Sequence, residues 1–143
     1  IFTISPVRHL RDGFVENNRS KAVLIQAVHH LVNKFSKLFY FPAYELVIDD
    51  LRDYRFFAED MVHPNYQATN YVWEKFATSS FTDSTRETMK EIYKLSAART
   101  HKPQHPGSEI HQKFLQKNLQ LTKELAGKFP FIDFTQELSY FSS

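Results

Sequence analysis

Asp60-Met61-Val62-His63-Pro64-Asn65 places a carboxylate three residues before an imidazole, in a stretch that reads as a loop running into a helix. An aspartate at that spacing can fix the histidine ring and its tautomer while the other ring nitrogen acts as a general base. The spacing alone is weak evidence: with seven aspartates and seven histidines in 143 residues, chance supplies such a pair about a third of the time. A structural role for His63, capping or packing, competes on even terms until the context is weighed. Ser5 and Ser20 occupy rim positions, yet neither lies in a nucleophile elbow or another nucleophile signature. Ser20 reads better as a cap or a wall donor. Ser5, Arg8 and Asn17 are the candidates for lining a substrate cleft. His101, His105 and His111 with Glu109 are metal-ligating types, but Pro103 and Pro106 break any helix that would bring them into zinc register, so no metal site is expected. Arg52 and Arg55 among Asp49, Asp50 and Asp53 read as exposed local ion pairs. Phe56, Phe57, Tyr66, Tyr71 and Trp73 read as core.

These residues need elements to hold them. Residues 1–5 are β-branched and aromatic and stop at Pro6, and Leu38-Phe39-Tyr40-Phe41 stops at Pro42, so each reads as a short strand. Between them Leu24, Val28, Leu31 and Phe35 recur at helical spacing from Asn18 to Ser36. A strand, helix, strand unit with so long a crossover implies parallel pairing. Open parallel sheets put ligands beyond the carboxyl ends of their strands, which places Ser5 to His9 on the functional rim. A helix from Tyr44 to Leu51 follows. Asn65 is placed to cap the next one, Ser84-Thr85-Arg86-Glu87 reads as a capping box opening a helix to Arg99, and Ser108 is placed to cap 109–128. The chain thus divides into an α/β part, 1–78, and a helical extension, 79–143, expected to pack on it.

Composition narrows the remaining choices. A chain of 143 residues that is 42% hydrophobic can bury one compact core. A formal charge of +2 gives no field that would steer it to nucleic acid or an anionic membrane, and no apolar run approaches the roughly 20 residues of a membrane span. The lack of cysteine removes thiol nucleophiles, thiolate metal sites and disulfides together. The opening at Ile1, with no signal-like segment, suggests a fragment and leans the compartment toward the cytoplasm.

Phe2-Thr3-Ile4-Ser5-Pro6-Val7-Arg8-His9, Glu16-Asn17-Asn18-Arg19-Ser20-Lys21-Ala22, Tyr40-Phe41-Pro42-Ala43-Tyr44-Glu45, Asp53-Tyr54-Arg55-Phe56 and Asp60-Met61-Val62-His63-Pro64 together resemble successive blocks of the GSCFA family, in its Bacteroidetes form. The tail segments around His101 and Ser108 resemble that family's C-terminal part. The resemblance implies an SGNH/GDSL-type serine hydrolase, with a three-layer α/β/α, flavodoxin-like fold of parallel strands followed by a helical C-terminal extension. It further implies an esterase or acyltransferase acting on an ester or acylated carbohydrate, with His63 as base, Asp60 as its orienting acid, and no cofactor. The family's Gly-Ser-Cys-Phe-Ala signature, which carries the nucleophile, does not occur here, so the chain alone is expected to be inactive. Two rivals stand beside this reading. One is a carbohydrate- or anion-binding module without turnover, in which Asp60 and His63 do not bond or His63 is packed away. The other is an assembly element that forms a homo-oligomer through an exposed sheet edge or the tail helices.

Overall fold

A computed structural model describes residues 1–142. Helices dominate: α1 (Gly13–Lys34), α2 (Ala43–Glu45), α3 (Tyr66–Ser80), α4 (Asp83–Thr100), α5 (Glu109–Lys128) and α6 (Thr135–Phe141), with α2 running on into a π turn, Leu46–Asp50. The chain forms two compact units, one from Ile1 to Phe81 and one from Thr82 onward. No helix among the described residues is long and apolar enough to cross a membrane.

The expected three-layer α/β/α architecture with parallel strands is not what forms: there is no sheet among the described residues. The two strand-like segments meet at a single parallel bridge, Phe2 to Tyr40. Phe2 N–H donates to Phe39 O at 2.7 Å, and Phe41 N–H donates to Phe2 O at 2.8 Å. Pro6 and Pro42 cut both segments short, and no third segment among the described residues joins them to extend a ladder. β-Branched and aromatic residues report a preference for half-buried extended surface rather than a commitment to a sheet. Here that preference is met by extended backbone: Ile4 and Phe41 are buried, whereas Ile1 and Phe39 stay exposed.

In the first unit α1 begins five residues earlier than its apolar spacing predicts. Gly13 adopts φ +83°, a left-handed value that glycine reaches without strain, and turns the chain into the helix. The buried positions of α1 are polar. Asn17 is 8% exposed and Lys21 is 7% exposed, and both bind the extended segment before the helix. The π turn gives Leu51 N–H the carbonyl of Leu46 at 2.9 Å, and it buries Val47 and Leu51. Phe41 meets Phe76 of α3 edge to face at 5.0 Å, Phe76 meets Phe81 at 5.6 Å, and Ala68 is fully buried, so α3 closes this core. Tyr66 and Trp73, expected inside, remain largely exposed.

The second unit has its own core of Leu95, Leu125, Phe134 and Phe141. The α4 cap is Thr82, whose Oγ1 accepts from Thr85 N–H at 3.3 Å, rather than Ser84 of the apparent capping box. Ser108 caps α5 as its position predicts, accepting from His111 N–H at 3.2 Å. Thr122 has no exposed surface on α5, and its hydroxyl donates to Asn118 O at 2.7 Å, so the buried group is satisfied within the helix.

Candidate functional site

The Asp60 to His63 loop is held at its base by main-chain bonds. Phe57 and Pro64 form an antiparallel bridge, Ala58 N–H donates to His63 O at 2.7 Å, and Asn65 N–H donates to Phe56 O at 2.9 Å. Asn65 secures the exit twice. Its Oδ1 accepts from Ala68 N–H at 3.1 Å, capping α3, and its Nδ2 donates to Arg55 O at 2.6 Å. Inside the loop Asp60 Oδ1 accepts from Val62 N–H at 2.9 Å and His63 N–H at 3.0 Å, the aspartate turn that this side chain favours. Met61, at the crest, takes φ 58°, a left-handed conformation that costs a non-glycine residue about 1–2 kcal/mol.

The other carboxylate oxygen of Asp60 lies 2.7 Å from His63 Nδ1. The His63 side chain is 61% exposed and that of Asp60 is 48% exposed. The His63 backbone N–H, then its ring, then the Val62 N–H hold the Asp60 carboxyl down at about 2. Near neutrality it is therefore an ionised acceptor with no proton to give. In the neutral imidazole Nδ1 is therefore the protonated nitrogen and the lone pair sits on Nε2. This is the arrangement of an oriented general base with one free nitrogen.

Arg8 reaches this loop from the extended segment before α1. Its Nη1 donates to Met61 O at 3.1 Å, and its backbone N–H approaches Val62 O at 3.5 Å. The guanidinium lies over the Phe57 ring at 4.5 Å and the Tyr54 ring at 5.7 Å. The structure thus brings Arg8, Asp60 and His63 together. Ser5 and Asn17 serve the segment that carries Arg8: Ser5 Oγ accepts from Val7 N–H at 3.2 Å, and Asn17 Oδ1 accepts from His9 N–H at 2.8 Å.

Lys21 completes that support, a role that its residue type and position do not announce. Its Nζ donates to Ser5 O at 2.6 Å, and burial lowers its pKa from the ordinary lysine value. Tyr40 is a second unforeseen group. Its hydroxyl donates to both oxygens of Glu45, at 2.9 and 2.8 Å, and burial followed by that carboxylate pushes its pKa up. Arg52 pairs with Asp49 and Arg55 with Asp53, at the surface as their spacing suggests. No three His, Cys, Asp or Glu side chains among the described residues gather as a metal site; His101 and His111 instead flank the Phe114 ring, at 6.0 and 5.9 Å.

Comparison with known proteins adds two findings. The model described as the GSCFA family matches residues 1–76, and the model described as the GSCFA domain protein, C-terminal domain, matches residues 92–143. No curated protein and no solved structure matches the chain.

Proposed function

The chain belongs to the GSCFA family, and from that premise we propose that His63 and Asp60 are the base and orienting acid of a serine esterase or acyltransferase acting on an ester or acylated carbohydrate. The observation that carries the reading is the 2.7 Å contact between His63 Nδ1 and Asp60 Oδ2, on a His63 side chain that is 61% exposed. The chemistry is that of SGNH-type serine hydrolases. A serine hydroxyl from outside these residues gives its proton to His63 Nε2 as its oxygen attacks the ester carbonyl. Asp60 remains ionised and balances the charge that the ring acquires. The same imidazole then returns the proton to the departing alcohol, and water or an acceptor alcohol releases the acyl group by the reverse route. The binding-module rival requires that the pair be unbonded or His63 be packed away, and the geometry supports neither condition.

The test is hydrolysis of p-nitrophenyl acetate by the full-length gene product. His63→Ala is expected to lower kcat by at least about 1,000-fold with the fold retained. Unchanged turnover in that variant would sink the reading.

A further inference from the structure

Beside the dyad loop lies a pocket of about 160 Å³ whose walls include Arg8, Val47, Ile48, Leu51, Tyr54 and Phe57, with Arg52 and Asp53 at its rim. Its floor is apolar and firm, since Val47 and Leu51 are buried in the π turn. Its one unneutralised charge is Arg8. Arg52 and Asp53 pair with Asp49 and Arg55, whereas no carboxylate among the described residues pairs with the half-buried Arg8. Arg8 has one guanidinium nitrogen on Met61 O and its plane over Phe57, so its other N–H groups remain available. A half-buried guanidinium beside an apolar pocket suits a ligand with a short hydrocarbon chain and an oxygen-bearing, anionic end. The pocket and the dyad also share a frame. Phe57 bridges to Pro64, the neighbour of His63, and Arg8 bonds to Met61, the neighbour of Asp60.

We propose that this pocket receives the acyl group of the ester, its chain against Val47, Ile48 and Leu51 and its carboxyl oxygen on Arg8, so that the preferred acyl group is short. This rests on the reading of Asp60 and His63 as catalytic, and it names the part of the substrate which that reading leaves open. A cavity of this order holds a ligand of about six non-hydrogen atoms, which suits a short acyl group such as butyryl. On release the product carboxylate is held by a charge-assisted bond to Arg8.

The probe is butyrate, titrated into the 143-residue chain and followed by NMR. Saturable shifts are expected at the methyl groups of Val47, Ile48 and Leu51 and at the Arg8 Nε–H, with none from n-butylammonium at the same ionic strength. Arg8→Gln removes the charge and is expected to raise the Kd by at least about tenfold. Ile48→Trp fills the apolar end without touching the Arg8 bond to Met61 and is expected to weaken butyrate to a similar extent, which keeps the test decisive if Arg8→Gln does not fold. Equal shifts from butyrate and butylammonium, an absence of saturation, or an unchanged Kd in Ile48→Trp overturns the proposal. Neither arm needs a nucleophile. Butyrate binding alongside full esterase activity in His63→Ala removes the catalytic reading and with it the acyl assignment, leaving a carboxylate pocket, whereas a dead His63→Ala enzyme with no butyrate binding removes the pocket only.

Discussion

Asp60 does two jobs with two oxygens, and a substitution can separate them. Asp60→Asn retains an Oδ1 that accepts from the Val62 and His63 N–H groups, so the turn persists. Its Nδ2, however, donates where the carboxylate accepted, so the ring must offer Nδ1 as an acceptor and hold its proton on Nε2. Activity on a model ester is then expected to fall by about 10³-fold or more, with the circular dichroism spectrum unchanged and the imidazole nitrogen shifts showing the inverted tautomer. An unaltered tautomer would remove the argument. Acid separates the states in another way. The Asp60 carboxyl is held at about 2 in the fold against an ordinary value of 3.8. A depressed acid gives stabilisation that is complete above the unfolded value and is lost as pH falls through the folded one. The loop should therefore loosen between about pH 4 and pH 2, and a carboxyl carbon titration of Asp60 by NMR is expected to show a midpoint near the lower end. A midpoint at the ordinary value would mean that the three donors do not hold it. The pair itself was legible in the sequence because its bonds span two and three residues. The Arg8 contact joins residues 53 apart and passes through a main-chain carbonyl, so side-chain chemistry could not announce it.

At the scale of elements, helices were legible where a local signal sets them and strands were not where a distant partner must. Asn65 and Ser108 cap the helices that follow because a cap bond closes within three residues. Thr82 captured the start of α4 ahead of the Ser84 to Glu87 pattern, since two overlapping cap patterns differ only in which hydroxyl meets which N–H. The short α6 carried no periodicity long enough to register, although Phe141 within it and Phe134 before it are core residues. The two strand-like segments do not build a sheet because residue type sets a preference for extended backbone but does not supply the partners a ladder needs. Polar residues on the buried face of α1 show the same limit, for Asn17 and Lys21 are inside only because the extended segment lies over them. Asn65 ties the loop of the dyad to α3, which gives a test at this scale. Asn65→Ala loses the cap and the bond to Arg55 O together, and is expected to cost about 1–2 kcal/mol in urea unfolding followed by Trp73 fluorescence. Asn65→Asp keeps the cap oxygen but not the donor, so its midpoint should fall between those of Ala and the parent. Equal losses in the two variants would assign the whole effect to the bond with Arg55.

For the molecule as a whole, the separate cores matter more than the single chain. Asp60, His63, Arg8 and the pocket beside them all lie between Ile1 and Phe81, whereas Leu95, Leu125, Phe134 and Phe141 build a core from Thr82 onward. The one tryptophan, Trp73, sits on α3 against Phe76 and Phe81 and so reports on the first unit. Leu95 is 1% exposed, and truncating a side chain so enclosed costs about 2–5 kcal/mol in lost transfer energy and residual cavity. A unit of this size has little stability in reserve. Leu95→Ala is therefore expected to move the far-ultraviolet circular dichroism transition in urea to much lower denaturant over the share of signal carried by α4, α5 and α6, while the Trp73 fluorescence midpoint stays where it was. Val47→Ala, in the other core and equally buried, should do the reverse and displace the Trp73 transition. If the fluorescence and circular dichroism curves move together in both variants, the chain unfolds as one cooperative body, and damage to the C-terminal core then reaches the His63 loop through global stability.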